Sequence, residues 1–335
     1  MISLYRLNND IIESCAYSKK APLADDIIWI DFFNPTREEE IDIESQLNIS
    51  IPTHEDMVEI EESSRFYMED NAQFLTAPFL YVTADKRYEI SPITFILIGK
   101  RLITLRYSEP KSFALFLSHV TSIGNGFLNN QSTGIDILLG LIESATDKLA
   151  DILELVSSKV NQSSKTIFSN GTVNKKPMTN ADFKGILNEI GNQGTILSQT
   201  RESIAGINRL LVYVEAFSKN ITQDNKRSKD LKTNVRTIAR DTQSLEHYAD
   251  FLSNKMSFLL DTIVGLISTE QNAIIKIFSV AAVVFMPPTL IASIYGMNFQ
   301  FMPELGAKWA YPIVLMLMII SALLPLYFFK KKGWL

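Results

Sequence analysis

The stretch 277-IFSVAAVVFMPPTLIASIY-295, followed after a short interval by 311-YPIVLMLMIISALLPLYFF-329, decides how the rest of the chain is read. Each run holds about 19 residues without a charge, roughly 28 Å as helix, close to a hydrocarbon core of about 30 Å. Uncharged runs of this length read as membrane spans rather than buried core helices. The second ends abruptly at Lys330, Lys331 and Lys332, and Lys276 flanks the first. Basic residues collect on the cytoplasmic side of a span, so both termini, with roughly the first 270 residues, are expected in the cytoplasm. The opening MISLYRLNND has no basic region followed by an apolar run, so no cleaved signal peptide is expected. A lone cysteine, Cys15, cannot form an internal disulfide and suits a reducing compartment.

Upstream of the spans the pattern is helical. Val235, Ile238, Thr242, Leu245, Ala249, Leu252, Met256, Leu259, Ile263 and Leu266 recur at alternating steps of three and four, a heptad-like seam. No proline or glycine interrupts it before Gly265, and it continues into the first span. Val235 to about Ile294 therefore reads as one helix, roughly 90 Å long. A helix of that length outruns any small domain and joins cytoplasm to membrane. Before it, 134-GIDILLGLIESATDKLADILELVSSKV-160 and a stretch from about Asp182 to Phe217 have helical spacing. The Gly, Pro and Asn of 163-SSKTIFSNGTVNKKPMTN-180 separate them, which predicts an antiparallel hairpin.

The first 130 residues differ. Short β-rich runs, 27-IIWIDF-32, 74-FLTAPFLYVT-83, 93-ITFILIG-99 and 101-RLITLRY-107, surround an acidic piece read as helical, 54-HEDMVEIEESSRFYMED-70. They predict an α/β domain with a mixed sheet. The expected fold is an α/β cytoplasmic domain (1–130), a helical hairpin region (131–234) and a stalk helix (235–276). The stalk continues into a first transmembrane helix (277–295), then come an external loop (296–310), a second transmembrane helix (311–329) and a basic tail (330–335).

Catalysis is poorly served by these residues. His54, His119 and His247 are far apart, and with one cysteine they give no zinc spacing. No phosphate-binding glycine loop, serine elbow or HExxH occurs, so no nucleotide is expected, and no nucleic acid for a chain of net charge -5. The acid runs 36-TREEEIDIE-44 and 57-MVEIEESS-64 read as solvated helix faces. Two spans on a large cytoplasmic body suggest transport, but two helices cannot enclose a polar path, so several copies must surround an axis. Stepping from Asn272 gives Ile275, Ser279, Ala282, Met286, Thr289 and Ser293, a polar, small or soft stripe on the first span. The second span has no counterpart beyond Ser321.

After the first span comes 295-YGMNF-299, then 302-MPEL-305. This resembles the CorA family of divalent-cation transporters, whose signature is Gly-Met-Asn immediately after the first span. The likeness extends over 268-STEQNAIIKIFSVAAVVFMPPTLIASIYGMNFQFMPEL-305, the 311-YP-312 opening and 328-FFKKKGWL-335. The pieces 28-IWIDFFNPTREEE-40 and 60-IEESSRFYMED-70 look like the cytoplasmic domain of its bacterial magnesium and cobalt members, whereas 160–235 contributes little.

The resemblance implies a funnel-shaped homopentamer in the bacterial inner membrane, surrounded by lipid bilayer, that carries Mg2+ with Co2+ as a further substrate. Gly296, Met297 and Asn298 fall at the outer mouth as the selectivity filter; Asn272, Met286 and Thr289 fall at pore-facing positions. Phe278 falls there too, as an apolar constriction, although helical stepping selects Ser279; helix rotation decides between them. Mg2+ gives up its water reluctantly, so a ring of Asn298 amide oxygens would hold the hydrated ion, and Gly296 would permit the turn that presents it. Glu304 would concentrate cations at the mouth. Met286 and the apolar positions below it suggest a gate that closes by dewetting.

Closure by cytoplasmic Mg2+, as the family is thought to work, needs carboxylates between subunits. Asp241, Glu246 and Asp250 on the long helix, and Asp31, Glu59, Glu61 and Glu62 in the first domain, are the candidates. Lys276 and Lys330 to Lys332 either anchor the spans to headgroups or form a positive collar at the inner mouth. Two other readings remain: a zinc-transporting, proton-coupled branch of the same superfamily, and a membrane-anchored structural oligomer that conducts nothing. The retained 302-MPEL-305 argues against the first, and the polar stripe against the second.

Overall fold

The computed structural model describes residues 1–333 apart from 9, 20, 60, 122–127, 130, 170–177, 222–224, 299 and 301. The chain divides into two compact units, Met1–Pro177 with Gly185–Phe258, and Met178–Lys184 with Leu259–Leu335.

The first unit is built on a seven-stranded sheet. Its strands are β1 (Ile2–Asn8), β2 (Ile11–Cys15), β3 (Ile27–Phe33), β4 (Phe66–Glu69), β5 (Ala72–Val82), β6 (Tyr88–Ile98) and β7 (Arg101–Arg106). They lie in the order β2-β1-β3-β7-β6-β5-β4, with β3 and β7 parallel and every other pair antiparallel. The mixed sheet expected from the sequence is present. Side chains alternate across it: Ile30, Phe32, Ile103 and Leu105 enter one apolar core. Trp29 is directed to the other face, where its ring meets Phe113 and Phe116 at 6.3 and 5.8 Å. Burial on both faces explains why 27-IIWIDFF-33 reads as an almost unbroken apolar run.

Helices cover both faces. On the side of Ile30 and Phe32 lie α1 (Arg37–Leu47) and α2 (His54–Val58), whose Ile43 and Met57 join that core. Each starts with a capping box, Thr36 with Glu39 and Thr53 with Asp56, which satisfies otherwise orphaned backbone donors. After the four-residue α3 (Glu62–Arg65), the chain enters β4, where Phe66 pairs with Leu75. The piece 54–70 is thus two short helices and an edge strand, not one helical segment. The aromatic pair Tyr67 and Phe74, stacked at 4.6 Å, accounts for the strand: cross-strand packing overrides the acidic local pattern. On the Trp29 side, α4 (Lys111–Val120) supplies Phe113 and Phe116.

Three long helices follow: α5 (Gly134–Ser169), α6 (Asn180–Ile221) and α7 (Asn225–Tyr295). Arg227 bonds Asp136 at 3.0 Å and Tyr248 bonds Ser157 at 2.8 Å, so paired positions rise together and α7 runs parallel to α5. Against α6 the order reverses. Arg236 meets Glu215 at 3.0 Å, Asn208 meets Glu246 at 3.0 Å and Arg201 meets Asp250 at 2.7 Å. The expected antiparallel arrangement of the first two long helices follows. Within the α7 seam, Val235, Ile238, Thr242, Ala249, Leu252, Met256, Leu259 and Ile263 are buried and Leu245 partly so. Leu266 is exposed, so the buried line stops one step earlier than expected. The helix also starts ten residues before Val235: 225-NKRSKDLKTN-234 has little apolar periodicity, yet buried Leu231 and the Arg227–Asp136 bond hold it.

The second unit contains the rest of α7, a 3-10 turn at Pro303–Gly306 and α8 (Ala310–Lys331). Pro287 and Pro288 lie inside α7 and Pro325 inside α8. Neither helix ends there, although each proline removes a backbone donor.

Gly134 opens α5 directly on the β6–β7 turn: its N–H bonds the Lys100 carbonyl at 2.8 Å, and a Cβ there would stand 2.4 Å from Leu102 N. Backbone atoms cannot move aside as a side chain can. Gly134→Ala is expected to destabilise the protein by about 1–3 kcal/mol, read as a lower midpoint in chemical or thermal unfolding; an unchanged midpoint would mean that α5 shifts freely.

Candidate ion pathway and regulatory carboxylates

In the membrane-spanning part of α7 one line of residues is covered within the chain. Val280 and Val284 are buried, and Lys276, Pro287, Pro288, Ile291 and Tyr295 are partly buried. A matching partly buried line runs along α8 through Ala310, Val314, Met318, Ser321, Pro325 and Phe329. At about 100° per residue, the expected pore stripe lies on the side of α7 opposite Val280 and Val284. Asn272, Ile275, Phe278, Ser279, Ala282, Met286 and Thr289 are all exposed. Phe278 is 72% and Met286 67% accessible, large apolar surfaces that the single chain leaves uncovered. Phe278 and Ser279 flank the centre of this face on its two sides, so both border it. The Thr289 hydroxyl donates to the Phe285 carbonyl at 2.7 Å, which partly hides its polarity in the helix.

The helix ends at the signature. Gly296 N–H bonds the Ala292 carbonyl at 2.9 Å and Met297 N–H bonds that of Ile294 at 3.3 Å. Gly296 does occupy a turn, but not at positive φ. The constraint on it is closeness: a Cβ there would stand 3.1 Å from the Ala292 oxygen. Asn298 follows outside any helix, exposed, and its side chain makes no hydrogen bond among the described residues. Glu304 is exposed in the 3-10 turn. At the other end of α8, Lys330 and Lys331 close its last turn and Lys332 lies 5.2 Å from the Phe328 ring, all three exposed.

The candidate regulatory carboxylates are dispersed. Among the described residues no group of three or more His, Cys, Asp or Glu is placed to hold a metal ion. Asp31 must be struck from the set. It is 3% accessible, and its carboxylate accepts from Thr104 Oγ1 at 2.6 Å and from Arg106 Nη2 at 2.8 Å. Trp29 Nε1 donates to the same Thr104 hydroxyl at 3.0 Å, so Asp31 is committed to a buried network between the parallel strands. Glu246 accepts from Asn208 and Asp250 pairs with Arg201. Glu59 and Glu61 are exposed, while the side chain of Glu62 lies outside the described residues.

One group escaped the sequence reading. Glu143 on α5 has its carboxyl raised above the ordinary range, first by desolvation and then by the charges of Asp147 and Asp241. The available signal was the acidic pair at positions 143 and 147, one helical turn apart. The proximity of Asp241 on α7 needed the tertiary fold.

Two long apolar helices attached to an α/β body, the first ending in Gly-Met-Asn, define a membrane protein of the two-span kind. A family model described as "CorA-like Mg2+ transporter protein" matches residues 24–331. The "Magnesium transport protein CorA" of Pasteurella multocida is 33% identical over 309 residues, covering 92% of each chain. That of Escherichia coli strain K12 is 31% identical over 346 aligned positions, covering 100% of both. The complete structure of CorA magnesium transporter from Methanocaldococcus jannaschii superposes with a TM-score of 0.79 at 16% identity, covering 100% of this chain and 99% of that one. Full-length CmaX gives 0.61 at 11% identity, covering 100% and 98%; both likenesses concern the fold. The chain belongs to the CorA family, among transporters rather than enzymes.

Two expectations separate structural from electrostatic carboxylates. Asp31→Ala leaves Arg106 buried without its partner and should cost about 3–5 kcal/mol in unfolding, independently of Mg2+. For Glu143 the raised folded pKa penalises the ionised form, so Glu143→Gln should melt higher than wild type at neutral pH. That advantage should shrink as pH falls through the raised value and vanish below the unfolded value of about 4.3. An advantage independent of pH would assign the effect to packing.

Proposed function

We propose that the chain conducts Mg2+ inward across a bacterial inner membrane as a homopentamer, with both termini in the cytoplasm and the exposed face of the first span lining the path. The observation that carries this reading is the position of the Asn272 to Thr289 stripe opposite the covered line of the same helix. A single chain leaves this face without a partner, and a ring of copies gives it one. Co2+, with Ni2+ close behind, shares the charge and similar size that an outer-shell filter accepts.

Selection falls to Gly296, Met297 and Asn298. The amide of Asn298 is exposed and uncommitted among the described residues, so five copies offer neutral oxygens to the water shell of the ion. Carboxylates at that point would bind tightly and slow release; Glu304, set back in the turn, raises the local cation concentration instead. Below, Phe278 and Met286 form apolar rings that shed water when the radius shrinks. An inside-negative potential supplies roughly 4.6 kcal/mol per 100 mV for a doubly charged ion, so no nucleotide is needed to drive entry.

Closure follows from cytoplasmic Mg2+ bridging carboxylates of neighbouring subunits, drawn from Asp241, Glu246, Asp250, Glu59, Glu61 and Glu62. Loss of the ion leaves like charges facing one another and loosens the ring. Lys276, Lys330, Lys331 and Lys332 sit at the lipid headgroups and hold the spans in register.

Purified protein in liposomes loaded with a Mg2+-sensitive dye, under an inside-negative potential, tests this directly. Influx should fall when the side facing the cytoplasmic domain is loaded with Mg2+, and Asn298→Ala should cut influx by about tenfold or more with assembly intact. Wild-type flux and selectivity in assembled Asn298→Ala protein would remove the filter assignment. Zinc entry dependent on a proton gradient, with no Mg2+ influx, would reassign the substrate.

A further inference from the structure

The side of α8 opposite its partly buried line carries an ordered series of surfaces. At about 100° per residue, steps of four and three from Trp309 reach Ile313, Met316, Ile320, Leu323 and Tyr327 in turn. All six are exposed, whereas Val314, Met318, Pro325 and Phe329 on the other side are partly buried. An aromatic ring stands at each end of the series. Trp309 and Tyr327 are 75% and 72% accessible, and at 1.5 Å per residue they lie about 27 Å apart along the axis, close to the thickness of a hydrocarbon core. Trp and Tyr collect at the two membrane–water boundaries. No polar residue interrupts the face between them, in contrast to the stripe on the first span, so acyl chains fit it and an aqueous path does not.

Charge beyond this face is uneven. One turn past Tyr327 come Lys330 and Lys331, both exposed. The helix contains no acidic residue, and neither lysine side chain forms an ion pair or hydrogen bond among the described residues. The Tyr327 hydroxyl is equally unpartnered among them. Lys332 differs, because its ammonium lies 5.2 Å from the Phe328 ring. At the Trp309 end the loop holds Glu304 and Lys308, one charge of each sign. Surplus positive charge therefore stands at only one end of the apolar face.

We infer that this end of α8 binds an anionic phospholipid. The Lys330 and Lys331 ammonium groups hold its phosphodiester, the Tyr327 hydroxyl donates to the same group, and the acyl chains lie along Leu323 and Ile320. The inference rests on the reading of α8 as a span with its lysines among headgroups, and goes further by naming the headgroup. A zwitterionic lipid brings its own ammonium, which offsets the attraction of its phosphate for lysine. Inorganic phosphate offers the same anion but no chains to cover the exposed leucine and isoleucine.

Native mass spectrometry of full-length protein in detergent, titrated with phosphatidylglycerol or with phosphatidylcholine of the same acyl chains, is the test. Wild-type protein should retain phosphatidylglycerol at about tenfold lower lipid concentration, and inorganic phosphate should not displace it. Lys330→Gln combined with Lys331→Gln should abolish the preference, and Lys330→Arg combined with Lys331→Arg should keep it. Equal retention of the two lipids by wild type, an undiminished preference in the glutamine pair, or displacement by inorganic phosphate would each overturn the proposal. Mg2+ influx into vesicles of each lipid separates the two readings. Normal influx without the preference removes the lipid site alone, and a preserved preference without influx in either vesicle removes the conduction reading alone.

Discussion

A single helix has to satisfy two solvents, and the rest of the chain is arranged around that constraint. In water, α7 is held by a buried line from Val235 to Met256 and by polar bonds to both flanking helices. Thr242 shows how tightly this works: its buried hydroxyl donates to Asn208 Oδ1 on the neighbouring α6. Farther along, the same helix becomes uncharged on every face, and its backbone donors and acceptors must be met internally because lipid offers none. Pro287 and Pro288 sit in that region, withdrawing two donors where a packed span tolerates irregularity best.

The spans, the long helix and the central strands were legible because each depends on local periodicity. Uncharged length identifies a span, a heptad line identifies a packed helix, and 27-IIWIDF-32 carries the apolar density of a strand covered on both faces. What escaped depended on packing partners rather than on a periodic local pattern. The strand at Phe66–Glu69 exists because β5 offers it an edge, and the first turns of α7 are helical because Arg227 reaches Asp136 and Thr133. Polar side chains give no periodic signal, yet they make satisfactory helix when tertiary bonds hold them.

The candidate site was legible in the same uneven way. The stripe on the first span is a property of helical stepping, so the structure presents it on one face without surprise. Phe278 and Ser279 both border that face, one on each side of its centre. Carboxylates were harder, because a list of acids does not distinguish a committed group from an available one. Asp31 looks like any other acid in 28-IWIDFFNP-35, but its register opposite Thr104 brings it to Arg106 two residues farther along the parallel neighbour. The guanidinium also lies 4.6 Å from the Phe33 ring centroid and 4.8 Å from that of Phe113, so the whole network is structural.

Removal of Asp31 narrows the proposed closure to groups that a cation could recruit at small cost. Asp250 is half exposed and paired with an equally exposed Arg201, an interaction of about 0–1 kcal/mol that a divalent ion displaces readily. Glu143, Asp147 and Asp241 represent the opposite case: they already repel, and the folded chain holds Glu143 against its own ionisation. Gating of this kind needs carboxylates that remain unsatisfied inside one chain and become satisfied between two. In the closure proposed above, ion loss from carboxylates that face one another between chains would restore a repulsion, whereas ion loss beside Asp250 would return it to Arg201.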